Sequence, residues 1–329
     1  MEPISFVQIS DVHFGTALLS TAYGWIGGYA PHAFVLCSAL PVAFADARVL
    51  TGLGDDQPLY LVVSGDLTAG GYACEFAVAH AFLRTRPRIQ RSAPGNLFGL
   101  AMPDDHLAAV PGNHDHWRGA PKFRPPPAYS PKTIRAQFRR TPWRKRWPSQ
   151  GPTGVELFGV DSNSGLAGTA TNTFAKGAIS TTEFDELDAL LTASVGSGLV
   201  KAIVCHHSLS YAGGVFDARP LDDFSRERLL AIAAQHRVSA ILTGHTHDFD
   251  FTRRDVADPR SAANIRAVWE LRSASTLQGP PKPARQGFLL HRIGESGASL
   301  RWSSWRYMWN GTHFARADSG KPCHEFDIV

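Results

Sequence analysis

Five short apolar runs in the first 250 residues each end in Asp, His or Asn, and this repetition restricts the fold more than any other property of the chain. Phe6 to Ser10 leads into Asp11-Val12-His13, and Leu59 to Val63 into Ser64-Gly65-Asp66. Leu107 to Val110 leads into Gly112-Asn113-His114-Asp115, Lys201 to Cys205 into His206-His207, and Ala240 to Leu242 into Gly244-His245-Thr246-His247. Runs this short and this rich in Val, Ile and Leu read as buried strands. The stretches between them carry helical spacing, so the pattern is that of βα units around a mostly parallel sheet. In such a sheet the carboxyl ends of the strands share one edge, where open α/β folds bind ligands.

The pattern predicts strands near 4–10, 59–63, 106–110, 155–160, 200–205 and 238–243, and helices near 31–50, 72–84, 181–193 and 222–236. Ser180-Thr181-Thr182-Glu183 precedes Phe184, Leu187, Leu190 and Leu191 at helical spacing and forms a capping-box signature. Beyond about residue 249, strand-like runs at Ile265–Leu271, Gly287–Ile293 and Ser299–Trp309 follow one another without helices and read as a second, antiparallel sheet layer. The last alternates imperfectly, as a half-buried strand with a bulge would.

With 329 residues, 43% of them hydrophobic and 19% charged, the chain has material for a large core and is neither disordered nor collagen-like. One domain over 1–329 is expected. No apolar run approaches the roughly 20 residues of a membrane span, and Glu2 followed by a strand-like run is unlike a signal peptide. Cys37, Cys74, Cys205 and Cys323 lie far apart without paired spacing, so a reducing, cytoplasmic setting is expected.

The net charge of +4 is unevenly placed. Ten of the 33 Lys and Arg fall between His116 and Gln150, where no Asp or Glu occurs. With prolines at 121, 125, 126, 127, 131, 142 and 148, residues 116–150 read as an inserted basic loop beside the third motif. Trp143 and Trp147 among Arg144, Lys145 and Arg146 give it a secondary claim to nucleic acid, by stacking plus phosphate contact. A solvated loop is the plainer reading. The glycine and aromatic stretch 21–29 holds Tyr23, Trp25 and Tyr29, which suit packing on the domain or a base or lipid-like group.

Asp11, His13, Asp66, Asn113, His114, His206, His245 and His247 form a mixed oxygen and imidazole donor set that suits Mn, Fe, Zn or Co, and the absence of cysteine argues against a structural zinc site. Gly65, Gly112 and Gly244 allow tight turns beside them. The order D-x-H, G-D, G-N-H-D, H-H and G-H-x-H resembles the calcineurin-like metallophosphoesterases, nearest to the bacterial branch of cyclic nucleotide phosphodiesterases and glycerophosphodiesterases. The likeness runs from Ile4 to about Asp250; Ser208-Leu209 stand where that branch usually has proline, which leaves the pocket rim open.

The resemblance implies a four-layer α/β/β/α sandwich with two mixed sheets flanked by helices. It implies one metal held by Asp11, His13 and His247, a second by Asn113, His206 and His245, and Asp66 between them. His114 would stabilise the phosphoryl group or protonate the leaving alkoxide, with Asp115 orienting its ring. Two cations roughly 3.5–4 Å apart share a water, lower its pKa and clamp both sides of an in-line displacement. The expected activity is hydrolysis of a small phosphodiester, such as a cyclic nucleotide or glycerophosphodiester. Phosphomonoesterase, nuclease and non-catalytic metal-binding module are the alternatives. The other nine histidines read as structural or surface groups, with His116 and His207 nearest the motifs. Trp302, Trp305 and Trp309 face either a core or a dimer partner.

Overall fold

A computed structural model describes residues 3–15, 32–54, 57–85, 99–117, 130–148, 154–166, 176–194, 198–210, 220–258, 260–279, 281–297, 299–319 and 321–328. In chain order the elements are β1 (Ile4–Ile9), α1 (Phe34–Thr51), β2 (Tyr60–Ser64), α2 (Ala73–Arg84), β3 (Leu107–Val110), α3 (Pro131–Gln137), β4 (Trp143–Trp147), β5 (Val155–Gly159), α4 (Thr181–Thr192), β6 (Val200–Val204), α5 (Asp223–Gln235) and β7 (Ala240–Thr243). Strands alone follow: β8 (Asp250–Asp258), β9 (Ser261–Arg272), β10 (Gly287–Ser296), β11 (Ser299–Trp309), β12 (Phe314–Arg316) and β13 (His324–Ile328).

The strands form two mixed sheets. The first runs β12-β11-β10-β1-β2-β3, with β13 also on β11, and the second runs β4-β5-β6-β7-β9-β8. The sheets pack face to face because alternate residues of each strand are apolar: Phe6, Tyr60 and Val62 of the first meet Val155, Leu157, Ala202 and Leu242 of the second. The opposite residues of the first sheet, Val7, Ile9, Leu61 and Val63, lie under α1 and α2. Those of the second, Phe158, Ile203 and Ile241, lie under α4 and α5. The expected α/β/β/α sandwich is observed.

The late strands do not make a sheet of their own. β10 pairs antiparallel with β1, whereas β9 pairs parallel with β7 and carries β8 antiparallel on its outer side, so the late strands extend both sheets. β11 carries no bulge; it pairs in unbroken register with β10 from Ser299 to Met308. Its alternation is blurred because both faces are buried. Trp302 points between the sheets, and Trp305, Tyr307 and Trp309 point under the helices, so these tryptophans serve a core rather than a partner.

The basic segment is also corrected. Residues 118–129, 149 and 150 lie outside the described residues, as does the aromatic stretch 21–29. Residues 130–148 hold α3 and β4, and β4 is the edge strand of the second sheet, paired with β5 from Trp143↔Gly159 to Trp147↔Val155. Pro142 and Pro148 stand just outside the strand, where they delimit it without costing a ladder bond. Trp147 is buried, stacked on Tyr60 at 4.6 Å, and donates from Nε1 to the Asp105 carbonyl at 2.8 Å. Trp143 is likewise core, so neither is available to stack on a base.

α1 overturns one further expectation, since its 18 residues have a mean hydropathy of 1.6 and pass a membrane-span test of length and composition. In the fold it lies on the first sheet and buries Leu36, Cys37, Leu40, Ala43, Phe44 and Ala47 against it. Its other side leaves Phe34, Val35, Val42 and Val49 exposed.

Candidate metal centre

The turns that leave β1, β2 and β7 place five of the donor residues in the left-handed region: Asp11 and His13 at φ 50°, Asp66 at 51°, His245 at 74° and His247 at 58°. Asp and His tolerate this region better than most residues, but it still costs on the order of 1 kcal/mol or more at each position. Backbone bonds between neighbouring turns hold the strain. Asp11 N–H donates to Gly65 O, His13 N–H to Asp66 O, and Gly244 N–H to His206 O.

Two glycines are required by close approach. Gly65 has φ +97°, and a Cβ there would lie 2.4 Å from His206 Nδ1. A Cβ at Gly112 would lie 2.1 Å from Asp66 Oδ1.

These turns bring the donors together around Asp66. Its Oδ2 lies 3.6 Å from His13 Nε2 on one side and 3.3 Å from His206 Nε2 on the other. On the His13 side, Asp11 Oδ1 lies 3.8 Å from His13 Nε2 and 3.1 Å from His247 Nε2. On the His206 side, Nε2 lies 3.1 Å from Asn113 Oδ1 and 3.1 Å from His245 Nδ1. Ligand atoms of Asp11, His13 and His247 form one compact group, and those of Asp66, His206 and His245 another.

The pattern of satisfied and orphaned atoms fits cations. With His206 Nδ1–H donating to Ser64 O at 2.9 Å, Nε2 of the neutral ring turns a lone pair toward the Asn113 carbonyl oxygen and a second imidazole, an arrangement that a cation satisfies and that, without one, a proton on Nε2 satisfies. Acceptors do not gather about one point without a positive charge. Asp11 Oδ1 and His13 Nε2 are buried without hydrogen bonds among the described residues. The other Asp11 oxygen is fixed by Ser10 Oγ at 2.6 Å and His245 N–H at 2.9 Å, leaving Oδ1 for the centre.

Without metal the charges bias one another. Burial opposes ionisation of Asp66, yet the His206 and His114 imidazoles hold it well below the usual carboxylate range. Burial pulls His206 down, and Asp66 outweighs it to raise the imidazole to about 9. Burial and the neighbouring His206 push His245 down to about 3.

The calcineurin-like phosphoesterase family model matches residues 4–249, about three quarters of the chain and all five motifs. The chain is a calcineurin-like phosphoesterase. A search of curated proteins gives no match. Among solved structures, the fold is similar to GAP50, titled the anchor in the inner membrane complex of Plasmodium, at 12% identity and TM-score 0.52, covering 99% of this chain and 88% of that one. It is also similar to the purple acid phosphatase PPD1 from yellow lupin, at 12% identity and TM-score 0.50, where 99% of this chain spans 54% of that one.

Within this phosphoesterase, His114 sits beside Asp66, with Nε2 3.9 Å from Asp66 Oδ2. Its Nδ1–H donates to the Ala69 carbonyl at 2.9 Å, and its ring lies 3.7 Å from Trp117 and 4.5 Å from His13. Asp115 does not orient that ring. Its Oδ2 accepts from Leu67 and Gly112 N–H, and its Oδ1 from the N–H and hydroxyl of Thr68. It therefore clamps the Asp66 turn to the Asn113 turn. The sequence motif places Asp115 beside His114, but adjacent residues in a tight turn point apart.

His116 and His207 stay one step back. His116 Nε2 lies 3.2 Å from Asp161 Oδ1, and its Nδ1 accepts from Ser130 N–H. His207 Nδ1 lies 2.7 Å from Ser162 Oγ, and its ring lies 4.3 Å from His245. Asp161-Ser162-Asn163 forms a hydrogen-bonded turn, closed by Asn163 N–H on Asp161 Oδ1. Sequence reasoning missed Trp117, whose only signal is its place three residues after His114. It also left Ser208-Leu209 unexplained: Leu209 N–H donates to buried Glu270 at 2.8 Å, a bond proline at 209 could not make.

Proposed function

We propose that this phosphoesterase hydrolyses small phosphodiesters at a two-metal centre. One cation would be held by Asp11, His13 and His247 and the other by Asn113, His206 and His245, with Asp66 between the two sets. The observation that carries the reading is the Asp66 carboxylate, buried between His13 and His206 with an acceptor set on each side. When bound, such metals polarise the phosphoryl oxygens and lower the pKa of a water they share. Mn, Fe, Zn and Co all suit the donors. Preference for a diester rests on the motif likeness to the phosphodiesterase branch, and the four free cysteines suit the cytoplasm.

The chain's own groups position and neutralise. Ser64 O and Ala69 O fix the His206 and His114 tautomers, Ser10 fixes Asp11, and Asp115 holds the turns in register. With Nδ1–H committed to Ala69, His114 donates to a phosphoryl or leaving oxygen only as imidazolium. Burial disfavours that form, at about 3, and an anionic substrate favours it.

The test is hydrolysis of bis(p-nitrophenyl) phosphate beside p-nitrophenyl phosphate after metal is stripped and Mn re-added, with Asp66→Ala as control. Diester turnover that returns with Mn and is absent in the variant is expected. Preference for the monoester would replace the reading by a phosphatase. Silence on both with metal bound would favour a binding role, for which GAP50, titled an anchor, is the structural parallel.

A further inference from the structure

The basic segment left over from the proposed function lines a cavity of about 230 Å³ between α2, residues 104–109, α3 and β4. Leu83, Phe138 and Trp143 give it an apolar floor, while Arg84, Arg139 and Lys145 bring three cations to its walls against one carboxylate, Asp104. That carboxylate is spent, bonded to Arg84 Nε at 2.5 Å. Lys145 anchors its ammonium on the carbonyls of Asp104 and Leu107, at 2.5 and 2.6 Å, which uses two of its three donors. Arg139 stands exposed on the rim. Half-burial, and then Arg139 and Arg84 against the pull of Asp105 and Asp104, press the ammonium below its ordinary value.

We infer that this cavity binds a small organic anion: a phosphate, phosphonate or carboxylate head on an apolar body about the size of one ring. The head meets Arg139 and the remaining Lys145 donor, and the ring meets the floor. Such charge-assisted bonds are shorter and stronger than those between neutral groups. The volume is below that of most drug-sized sites, which limits the body to a single ring. The cavity is separate from the metal donors, although Leu67, the residue after Asp66, forms part of its wall.

The test is calorimetric titration of the full chain with phenylphosphonate, benzoate and inorganic phosphate, metal-loaded and after chelation. Phenylphosphonate or benzoate binding that survives chelation is expected, and which binds tighter identifies the head. Arg139→Glu, a rim change that disturbs no core contact, should weaken it roughly tenfold, the worth of one charge-assisted bond. Gln137→Phe, which keeps every cation and fills the space, should do the same, while Arg253→Glu on the distant edge strand β8 should not. Binding lost on chelation, binding in the two cavity variants as tight as in the parent chain, or inorganic phosphate binding as tightly as phenylphosphonate would each overturn the assignment.

Discussion

Glu183 offers a sharp test of the electrostatics beside the centre. It lies in the first turn of α4, buried, with Oε1 accepting the Asp161 N–H at 2.9 Å. Ser180 caps the helix by accepting Glu183 N–H at 3.1 Å, but the reciprocal half of the expected capping box is absent, since the carboxylate turns to Asp161. Burial, reinforced by the nearby Asp161 and Glu186 charges, pushes the carboxyl up from 4.5 to about 7. Between those values the folded protein holds a proton that the unfolded chain has released. The stabilising contribution is therefore complete below pH 4.5 and is lost as pH rises through 7. At 1.36 kcal/mol per pH unit the loss is about 3 kcal/mol.

Glu183→Gln keeps the acceptor for Asp161 and removes the titration. In urea unfolding followed by tryptophan fluorescence, the variant should match the parent near pH 4.5 and exceed it by about 3 kcal/mol at pH 8. A difference that is flat with pH, or a less stable variant at pH 8, would show that the carboxylate ionises at its ordinary value and would refute the reasoning.

The remaining predictions concern the centre and the sandwich. His114→Ala should lower diester turnover by about 10²-fold or more while elemental analysis finds metal unchanged; unchanged turnover would remove His114 from the mechanism. Gly112→Ala drives a Cβ to 2.1 Å from Asp66 Oδ1, so Asp66 must move and activity should fall by about 10²-fold, measured on the same diester. Trp147→Ala empties the space beside Tyr60 and should cost about 3–5 kcal/mol in urea unfolding; a loss below about 1 kcal/mol would return β4 to the surface loop its composition implies.

Much of the centre was legible in the sequence, and the reason is local. A parallel strand buried on both faces must be written as an apolar run, and the polar turn that follows it stands out. Asp11, His13, Asp66, Asn113, His206, His245 and His247 were singled out in this way, and the fold brings them close to one another. Edge strands have one ladder side and much of one face in water, so their code is charged and ambiguous. Asp250–Asp258 and Trp143–Trp147 were therefore missed, although each pairs along its length with the next strand inward.

What only the tertiary structure decided were matters of register and direction. Nothing local in Gly287–Ser296 says that it lies beside β1, because strand pairing is set by which faces remain to be covered once the helices have packed. The left-handed turn at Asp66, the retreat of Asp115 from His114 and the burial of Trp147 all depend on neighbours distant in sequence. The chemistry of a residue is carried by its side chain, whereas its target is chosen by the packing around it.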